Sequence, residues 1–415
     1  MRENLERRPP ARFGRQLPRR DFLRLSAIVG GALTVAACGG RIVSTSPAPT
    51  RPDFKVGVIL PTSGMYANLG DSVRKGMQLF FDRISRHGGG RRIVVFDEDE
   101  AAGNMSIPLA GARKLVEQHN VDMIAGIIAS PNELAIRNYV DQNRVPTLIA
   151  NASANALSRS RKSGFIYRTS FSNWQHGQRM GTYLAAKGIG RLGLVYSDYA
   201  TGSEMAAAVK EAYGGTIVAE VRPPFPNASG DFTAFITQIN GARPEAIYVF
   251  LSGADAVAFL RQAKTELDKS IRVMGSGFLV EQDVLHAIGD AAPAGAVTGL
   301  HWALTLDNRE NRDFTASFRK RFSRTADVFA MQGYDTARVI VEALNLVQGK
   351  TDDPVAFMTA ISQVSFKSPR GGFKFDANSN NVINPFYVRE LVKDPKVGYT
   401  NRIISSLPSI ADPGR

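Results

Sequence analysis

The sequence predicts an α/β protein made of two doubly wound, Rossmann-like lobes, and three observations lead to this prediction. Short apolar runs alternate with amphipathic helical patterns along most of the chain, which is typical of strand–helix–strand units with largely parallel sheets. The alternation runs twice, over about residues 54–170 and 171–299. A chain of 415 residues with 44% hydrophobic and 21% charged residues is also long enough for two ordinary domains, each with a sizeable core.

The first half opens with a predicted strand over 54–60 (FKVGVIL). A helix is predicted over about 68–86, because apolar residues recur there on one face at helical spacing and a glycine-rich turn follows. The next strand is predicted over 92–96, and it leads into the acidic run Asp97 to Glu100. We interpret this run as a solvated loop at a strand end rather than as a metal site. Another helix is predicted over 106–119.

The stretch from Val121 to Leu157 has a clear strand–helix–strand pattern. An apolar run over 123–128 predicts a strand. The sequence from Ser130 to Glu133 then resembles a capping box with proline at the first helical position, and a helical pattern follows it. A second apolar run, 145–150, stops at the small polar residues 151–153.

Ser130 and Ser153 are the first candidate ligand contacts, because each follows the carboxyl end of a predicted strand. In doubly wound sheets, ligands bind outside these strand ends. The alternative for Ser130 is that its hydroxyl only caps its own helix, since serine is a preferred cap residue. The pattern of this stretch alone leaves both interpretations open.

The second half repeats the alternation, and the third section is more mixed. Strand and helix patterns continue to residue 275, and the segment that follows holds another strand, two helices, a hairpin-like turn at 369–372 and a late strand. The predicted strands are 165–169, 192–196, 216–220, 246–251, 271–274, 297–304 and 388–392, and the predicted helices are 173–187, 203–213, 231–239, 254–264, 314–322 and 333–348.

The first 37 residues have the features of an export signal. Arg19 and Arg20 stand in a segment that resembles a twin-arginine signal, and an apolar stretch of 13 residues follows them. That stretch ends Val-Ala-Ala before Cys38, which resembles a bacterial lipobox with the cysteine as the site of lipidation. The alternative is a short membrane anchor followed by a chance cysteine. Residues 38–53, rich in small and turn-forming residues, are predicted to be a flexible tether.

The charge distribution argues against a nucleic-acid partner, and the cysteine content argues against a disulfide. The formal net charge is +13, of which +5 falls in residues 1–37 and +8 is scattered over the rest. Neither a basic patch nor a nucleic-acid-binding motif is present, so no nucleic-acid partner is predicted. Cys38 is the only cysteine, which excludes a disulfide within the chain.

No enzyme motif withstands inspection. Gly349-Lys350-Thr351 resembles the end of a phosphate-binding loop, but the upstream glycine is missing and a helix, not a strand, precedes it. Ser317 to Lys320 has S-x-x-K spacing without its partner motifs. The five histidines lack metal-ligand spacing. We therefore predict no catalytic residue, no metal and no cofactor, and a binding function instead.

The order of elements, together with several short motifs, resembles a known family, the type I periplasmic solute-binding proteins of the branched-chain amino acid transport class. The resemblance covers nearly all of 54–392. It rests most on the opening strand and loop, 56–64 with Gly70 after it, and on Gly333-Tyr334-Asp335. Weaker motifs are Tyr167-Arg168-Thr169-Ser170, Gly230-Asp231-Phe232 and Leu260-Arg261-Gln262-Ala263.

The resemblance implies two α/β lobes joined by three crossings of the chain, with a ligand cleft between the lobes that closes by a hinge. Lobe one is then expected at 54–170 plus 300–363, and lobe two at 171–299 plus 364–405. Residues 406–415 are expected to form a tail.

The resemblance also implies site residues. The loops matching Ala129-Ser130 and Asn151-Ala152-Ser153 hold the carboxylate of an amino acid in that family. Thr201 and Ser252 are expected to face them from lobe two, and the resemblance places the family's acidic partner of the ligand ammonium at Gly277. Because glycine cannot neutralise an ammonium, Glu281, Asp283 or Asp198 would have to substitute. Tyr66 and Phe171 either contact the ligand or pack in the core.

These features predict a monomeric, non-enzymatic lipoprotein, lipid-anchored in the periplasm, that delivers a small solute to an ABC permease in the inner membrane. The expected ligand carries a carboxylate: an amino acid such as a branched-chain one, an aromatic or aliphatic acid, or an amide. The alternative is a lipoprotein of the same fold that acts as an interaction partner or activator of cell-envelope enzymes rather than in transport.

Overall fold

The computed structural model describes residues 51–101, 106–395 and 398–414. Arg19, Arg20 and Cys38, on which the export and lipidation predictions rest, lie outside these ranges. The first half of the chain forms the expected alternation of strands and helices, and the first strand has the predicted bounds. Its elements are β1 (Phe54–Leu60), α1 (Ala67–Arg83), β2 (His87–Gly88), β3 (Arg91–Asp99), α2 (Ser106–Glu117), β4 (Met123–Gly126), α3 (Ser130–Gln142), β5 (Thr147–Ile149) and β6 (Ile166–Arg168).

The second half repeats the pattern, and the third section supplies helices and strands to both halves. The second half contains α4 (Asn173–Ala186), β7 (Arg191–Tyr196), α5 (Ala200–Tyr213), β8 (Thr216–Val221), α6 (Thr233–Ala242), β9 (Ala246–Phe250), α7 (Gly253–Glu266), β10 (Arg272–Ser276), α8 (Gln282–Ile288) and β11 (Val297–Leu300). The third section contains α9 (Arg309–Phe322), α10 (Val328–Leu346), α11 (Pro354–Gln363), β12 (Ser365–Ser368), β13 (Gly371–Asp376), β14 (Asn381–Val382), β15 (Asn384–Asp394) and β16 (Gly398–Ile410).

The strands form two sheets, one in each lobe, which confirms the predicted fold class. The nine-stranded sheet of lobe one has the order β12-β13-β14-β6-β5-β4-β1-β3-β2. The seven-stranded sheet of lobe two has the order β16-β15-β11-β10-β9-β7-β8. Inner strands pair in parallel, for example β1 with both β3 and β4, and β9 with β7 and β10. The chain passes between the sheets three times, after β6, after β11 and after β14.

The C-terminal region differs from the expectation in two ways. Residues 365–382 were assigned to lobe two, but β13 pairs with β12 and β14, and β14 extends the lobe-one sheet through the partners Asn381 and Arg168. The chain enters the lobe-two sheet only at Asn384. Residues 406–415 were expected to be a tail, but β16 continues to Ile410, and the buried Asp412 carboxylate pairs with Arg159 at 3.2 Å.

A glycine contact explains one of the motifs that carried the resemblance. Gly333 in α10 lies against α1, where a Cβ atom would fall 2.0 Å from the carbonyl oxygen of Val73. Gly76 in α1 makes the reciprocal approach, with 1.9 Å to the carbonyl oxygen of Ala330. The two helices therefore pack at backbone contact and can do so only with glycine at both positions.

Within the described ranges, none of the helices has the length and apolar character needed to cross a membrane.

Candidate ligand-binding cleft

A cavity of about 430 Å³ lies between the two lobes, at the carboxyl ends of the strands. Residues of both lobes contribute to its wall, together with Phe171 at the first crossing. The lining consists of Met65, Tyr66, Leu69, Ile128, Ala129, Ser130, Pro131, Asn132, Asn151, Ser153, Phe171, Tyr199, Thr201, Phe225, Pro226, Phe250, Ser252, Phe278 and Phe329.

Ser130 joins the two predicted loops, and the alternative that its hydroxyl only caps its own helix does not hold. The cap residue of α3 is Ala129, and no side-chain capping bond is formed there. The Ser130 hydroxyl oxygen instead accepts hydrogen bonds from the backbone N–H groups of Ser153, at 3.0 Å, and Ala154, at 3.1 Å. Because both partners donate to its oxygen, Ser130 retains its own proton for an acceptor in the cavity.

Hydroxyl groups continue from Ser130 across the cleft into lobe two. The Thr201 hydroxyl lies 3.5 Å from that of Ser130. Next to it, Tyr199 interacts with Thr201 and Tyr66 through its side chain, and Tyr66 interacts in turn with Ser252. We call these five side chains the hydroxyl row.

Burial keeps the tyrosines of the hydroxyl row neutral. It raises the pKa of Tyr199 to about 12 and that of Tyr66 well above its ordinary value. At neutral pH both phenols therefore carry their protons, so the row consists of groups that can donate hydrogen bonds to an acceptor.

Three helices also begin at the cavity wall. The N-cap residues of α3, α5 and α7 are Ala129, Tyr199 and Ser252, all of which line the cavity, and none of the three helices has a side-chain cap. The partial positive charge of a helix N-terminus favours an anion. The hydroxyl row and these helix termini together provide an anion-binding side of the cleft.

The remaining wall is apolar and largely aromatic. Phe278 of lobe two contacts Phe329 of lobe one, with ring centroids 5.8 Å apart, and Phe171 at 5.3 Å. On the other side, the rings of Tyr199 and Phe225 stack at 4.0 Å. Such surfaces suit a flat, apolar ligand body, because aromatic rings prefer stacked or edge-to-face contacts with other rings.

The Gly277 position, where an acidic ligand partner was expected, is filled from behind. The guanidinium of Arg389 donates to the Gly277 carbonyl oxygen at 2.9 Å, and a Cβ atom on Gly277 would fall 2.4 Å from the same nitrogen. Gly277 does not line the cavity, but its neighbour Phe278 does.

Glu281 cannot substitute for the missing acid, contrary to the expectation. It is buried in an ion pair with Arg389 at 3.0 Å, and its other carboxylate oxygen accepts from the backbone N–H of Val328 at the start of α10. Asp283 and Asp198 are also absent from the lining, and Asp198 lies near Arg222 instead. Glu281 thus connects a loop of lobe two to a helix of lobe one.

The cavity brings together eight of the eleven predicted contacts and leaves out three. Tyr66, Ala129, Ser130, Asn151, Ser153, Phe171, Thr201 and Ser252 line it, whereas Ala152, Gly277 and Glu281 do not. Ala152 is buried in the core cluster beneath α3. Sequence reasoning missed much of the apolar wall, above all Phe225, Phe278 and Phe329. Of these, Phe278 could have been found, because it follows Gly277, a position that the resemblance had already placed in the cleft.

Two histidines form a buried pair near the hinge. The ring nitrogens of His176 and His301 lie 3.0 Å apart, and burial lowers the pKa of His176 to about 3 and that of His301 well below its ordinary value. Phe171 stacks on His176 at 4.2 Å. Both imidazoles are therefore neutral and structural. In the described part of the chain, no cluster of three or more His, Cys, Asp or Glu residues could hold a metal ion.

The acidic run is less solvated than predicted. Asp97 pairs with Arg74, and Glu98 pairs with Lys114 at 2.7 Å. Glu100 is fully buried behind the cleft, where it accepts hydrogen bonds from the loop before α3.

Comparison with known proteins agrees with this architecture. The model of the periplasmic binding protein family matches residues 53–396. The Leu/Ile/Val-binding protein homolog 6 of Brucella melitensis is 29% identical over 368 residues, which cover 87% of this chain and 93% of that protein. The match confirms the resemblance inferred from the sequence.

Two solved structures from one bacterial species are similarly related. A solute-binding protein of an ABC transporter from R. palustris, in complex with benzoate, is 30% identical, with a TM-score of 0.81 and coverage of 87% of this chain and 98% of that chain. A second, from Rhodopseudomonas palustris BisB5 in complex with 3,4-dihydroxybenzoic acid, is also 30% identical, with a TM-score of 0.82 and coverage of 87% and 99%. Together with the family match, these likenesses establish that the chain belongs to the periplasmic binding protein family, as a type I member.

Proposed function

We propose that the protein is the solute-binding component of an ABC importer and that its ligand is an aromatic carboxylate of the benzoate class. The observation that carries the proposal is the composition of the cavity wall. A hydroxyl row and three helix N-termini face an otherwise apolar, aromatic surface, and the described lining contains no Asp, Glu, Lys, Arg or His. Such a wall suits a ligand with one anionic group and a flat apolar body.

An amino acid fits this wall poorly. Its ammonium group would be buried without a carboxylate partner, because Gly277 has no side chain and Glu281 is already paired with Arg389. Burying an unpaired charge is costly. The benzoate and dihydroxybenzoate carried by the two R. palustris proteins have a carboxylate and a ring but no ammonium. They therefore support the aromatic acid for this chain over the branched-chain amino acid suggested by the Brucella relative's name.

The lobes already contact each other around the cavity. Glu204 of α5, in lobe two, accepts hydrogen bonds from the backbone N–H of Asn155 in lobe one, at 2.9 Å, and from the Asn173 amide, at 2.7 Å. Tyr66 of lobe one and Phe225 of lobe two also contact each other, with ring centroids 6.2 Å apart. We infer that ligand is captured by hinge closure of the lobes and released when these contacts open.

A transport function also requires that the protein be exported from the cytoplasm and that it deliver its ligand to a permease. We propose export through the twin-arginine signal at Arg19 and Arg20, lipidation of Cys38, and delivery of the ligand by a monomer to an inner-membrane permease. The alternative, an activator of cell-envelope enzymes on the same fold, would not need a cavity of about 430 Å³ with an anion-binding side. Mass spectrometry of the processed protein would test lipidation directly, since an unmodified Cys38 would contradict it.

A thermal-shift and calorimetric screen tests the ligand class. Benzoate and 4-hydroxybenzoate should raise the Tm, because a ligand at about 100 times its Kd adds about 2.7 kcal/mol to the free energy of unfolding. Benzylamine tests the need for the anion, cyclohexanecarboxylate the need for the aromatic ring, and leucine the amino-acid alternative. Stabilisation by leucine with none by any benzoate would overturn the proposed ligand class.

A further inference from the structure

Glu100 lies directly behind the wall of the cleft and is fully buried. Its two carboxylate oxygens accept hydrogen bonds from the backbone N–H groups of Ile128 and Ala129, both at 2.7 Å. The amide of Asn132 donates to the same carboxylate at 3.1 Å and to the Glu100 carbonyl oxygen at 3.2 Å. One side chain therefore holds both ends of the turn that leads from β4 into α3.

This turn forms a continuous part of the cavity wall. Residues 128–132 all line the cavity. The residue before them, Ile127, has a φ of 68°, a left-handed conformation that a β-branched residue rarely adopts and that costs about 1–3 kcal/mol. The Ile127 carbonyl oxygen accepts from the backbone N–H groups of Asn151 and Ala152, so the turn also positions the second site loop. A strained backbone of this kind persists only where surrounding bonds fix it, and Glu100 supplies two of them.

Glu100 also changes what a ligand can use. The N–H groups of Ile128 and Ala129, which precede α3 and would otherwise suit an anion, are already bonded to an internal carboxylate. A ligand carboxylate must therefore rely on the hydroxyl row and on the N-termini of α5 and α7, and it comes to lie near a second negative group. Glu133, in the first turn of α3, is a further buried carboxylate, and neither of its oxygens has a hydrogen-bond partner among the described residues.

We propose that Glu100 is a positioning residue for the anion-binding side of the cleft, and that capture of an anionic ligand is coupled to proton uptake by Glu100 and its neighbour Glu133. The inference rests on the proposed function, since it requires an anionic ligand in this cavity. The hydrogen-bond partners of Glu100 are all groups of the protein itself. The new negative charge of the ligand is what changes, and it favours the protonated form of a nearby carboxyl group.

The titration behaviour of the pair agrees with this coupling. Burial raises the pKa of Glu100 to about 7, although its hydrogen-bond donors lower it, and burial raises the pKa of Glu133 to about 8. The other charged groups that act on the pair are Asp99 beside Glu100, Arg168 of β6, which favours ionised Glu133, and Glu204 of α5, which opposes it. Both carboxyl groups can therefore gain a proton near neutral pH when an anion enters.

The test measures binding of benzoate to the purified protein by calorimetry between pH 6 and pH 8. Benzoate is fully ionised over this range, so any change in affinity reports on the protein. We expect the Kd to be lower at pH 6 than at pH 8 by roughly threefold or more, the size expected for two like charges at the effective dielectric of a partly buried site. Repeating the titration at pH 7 in buffers of different ionisation enthalpy should show net proton uptake.

Variants of individual glutamates show which residue causes the pH dependence of benzoate binding. Glu100→Gln removes the charge that titrates, so it should flatten the pH profile. It also replaces one acceptor oxygen of the turn with a donor, so it should weaken binding at pH 6, where the charge matters least. The matched control is Glu98→Gln, the same change two residues earlier, near the end of β3, at a residue that pairs with Lys114, and it should keep the profile of the unmodified protein. If Glu100→Gln fails to fold, Glu133→Gln should reduce the proton uptake.

Three outcomes are distinguishable. Benzoate binding with the same Kd at pH 6 and pH 8 and no net proton exchange overturns the coupling. A Glu100→Gln protein with an unchanged pH profile would show that another group takes up the proton, and this also overturns the proposed role of Glu100. Failure of benzoate to bind at either pH overturns the proposed function on which the inference rests.

Discussion

The two sides of the cleft are built in opposite ways. On the anion-binding side, small polar side chains such as Ser130 and Thr201 present hydroxyl groups that backbone N–H donors and helix termini hold in place. On the far side, the position expected to carry an acidic group is a glycine whose side-chain space is taken by Arg389, and the neighbouring side chain that lines the cavity is Phe278. Ligand class is therefore decided as much by the charge that is missing at Gly277 as by the groups that are present.

The largest expected effect comes from removing the centre of the anion-binding side. Ser130→Ala deletes the acceptor of two backbone N–H groups and the proton available to a ligand. We expect benzoate affinity to fall about 10- to 150-fold, because a hydrogen bond to a charged group contributes about 1.5–3 kcal/mol. Calorimetry measures the loss. Ser362→Ala on α11, whose hydroxyl donates to the Thr359 carbonyl oxygen and does not line the cavity, is the control and should bind normally.

The next prediction concerns the opposite side. Gly277→Ala places a methyl group 2.4 Å from the guanidinium of Arg389 and 2.6 Å from the Cβ of Leu300. Overpacking of this kind costs about 1–3 kcal/mol, so the Tm should fall. Gly241→Ala, at a helical position whose Cβ has no neighbour within 4 Å among the described atoms, should leave the Tm unchanged or raise it. A Gly277→Ala protein with an unchanged Tm would contradict the packing argument. A stable Gly277→Asp protein that gained leucine binding would show that the site can accommodate the missing acid.

The same contrast explains which parts of the fold could be predicted from sequence. Strand β1 was predicted at its observed bounds, because it is a short apolar run inside a parallel sheet. Strand β16 was missed, because its exposed and half-buried residues alternate and Pro408 lies near its end. The membership of β12 to β14 in lobe one depends on pairing with β6, some 200 residues earlier, and local pattern carries no information about such pairing.

The residues of the candidate site also divide into those that could be predicted from the sequence and those that could not. Its polar residues follow strand ends, where the topology of doubly wound sheets places ligands, so Ser130, Asn151 and Ser153 could be found. Whether Ser130 caps α3 or accepts from Ser153 depends on a loop 23 residues away, and the sequence pattern is the same for both. Phe225 and Phe329 could not be separated from core residues, since an aromatic side chain has the same pattern in a core as in a cavity wall.

A smaller effect is expected at the point where lobe two meets the anion-binding side. Thr201→Val keeps the shape of the side chain but removes the hydroxyl that lies 3.5 Å from Ser130. Loss of one neutral hydrogen-bonding group costs about 1 kcal/mol, so benzoate affinity should fall about fivefold. Calorimetry at pH 7 measures this change. A loss as large as that of Ser130→Ala would mean that the hydroxyl row acts as one unit rather than as a centre with supporting groups.

The smallest effect tests where the hydroxyl row ends and the aromatic wall begins, because Tyr199 belongs to both. Tyr199→Phe keeps the ring that stacks on Phe225 at 4.0 Å and removes only the hydroxyl that interacts with Thr201 and Tyr66. Benzoate affinity should fall about two- to threefold, because the lost hydroxyl supports Thr201 rather than holding the ligand alone. Tyr199→Ala, which also removes the stacked ring, should lose considerably more. Equal losses in the two variants would assign the contribution of Tyr199 to its hydroxyl, and the aromatic wall on that side would then be packing rather than a ligand surface.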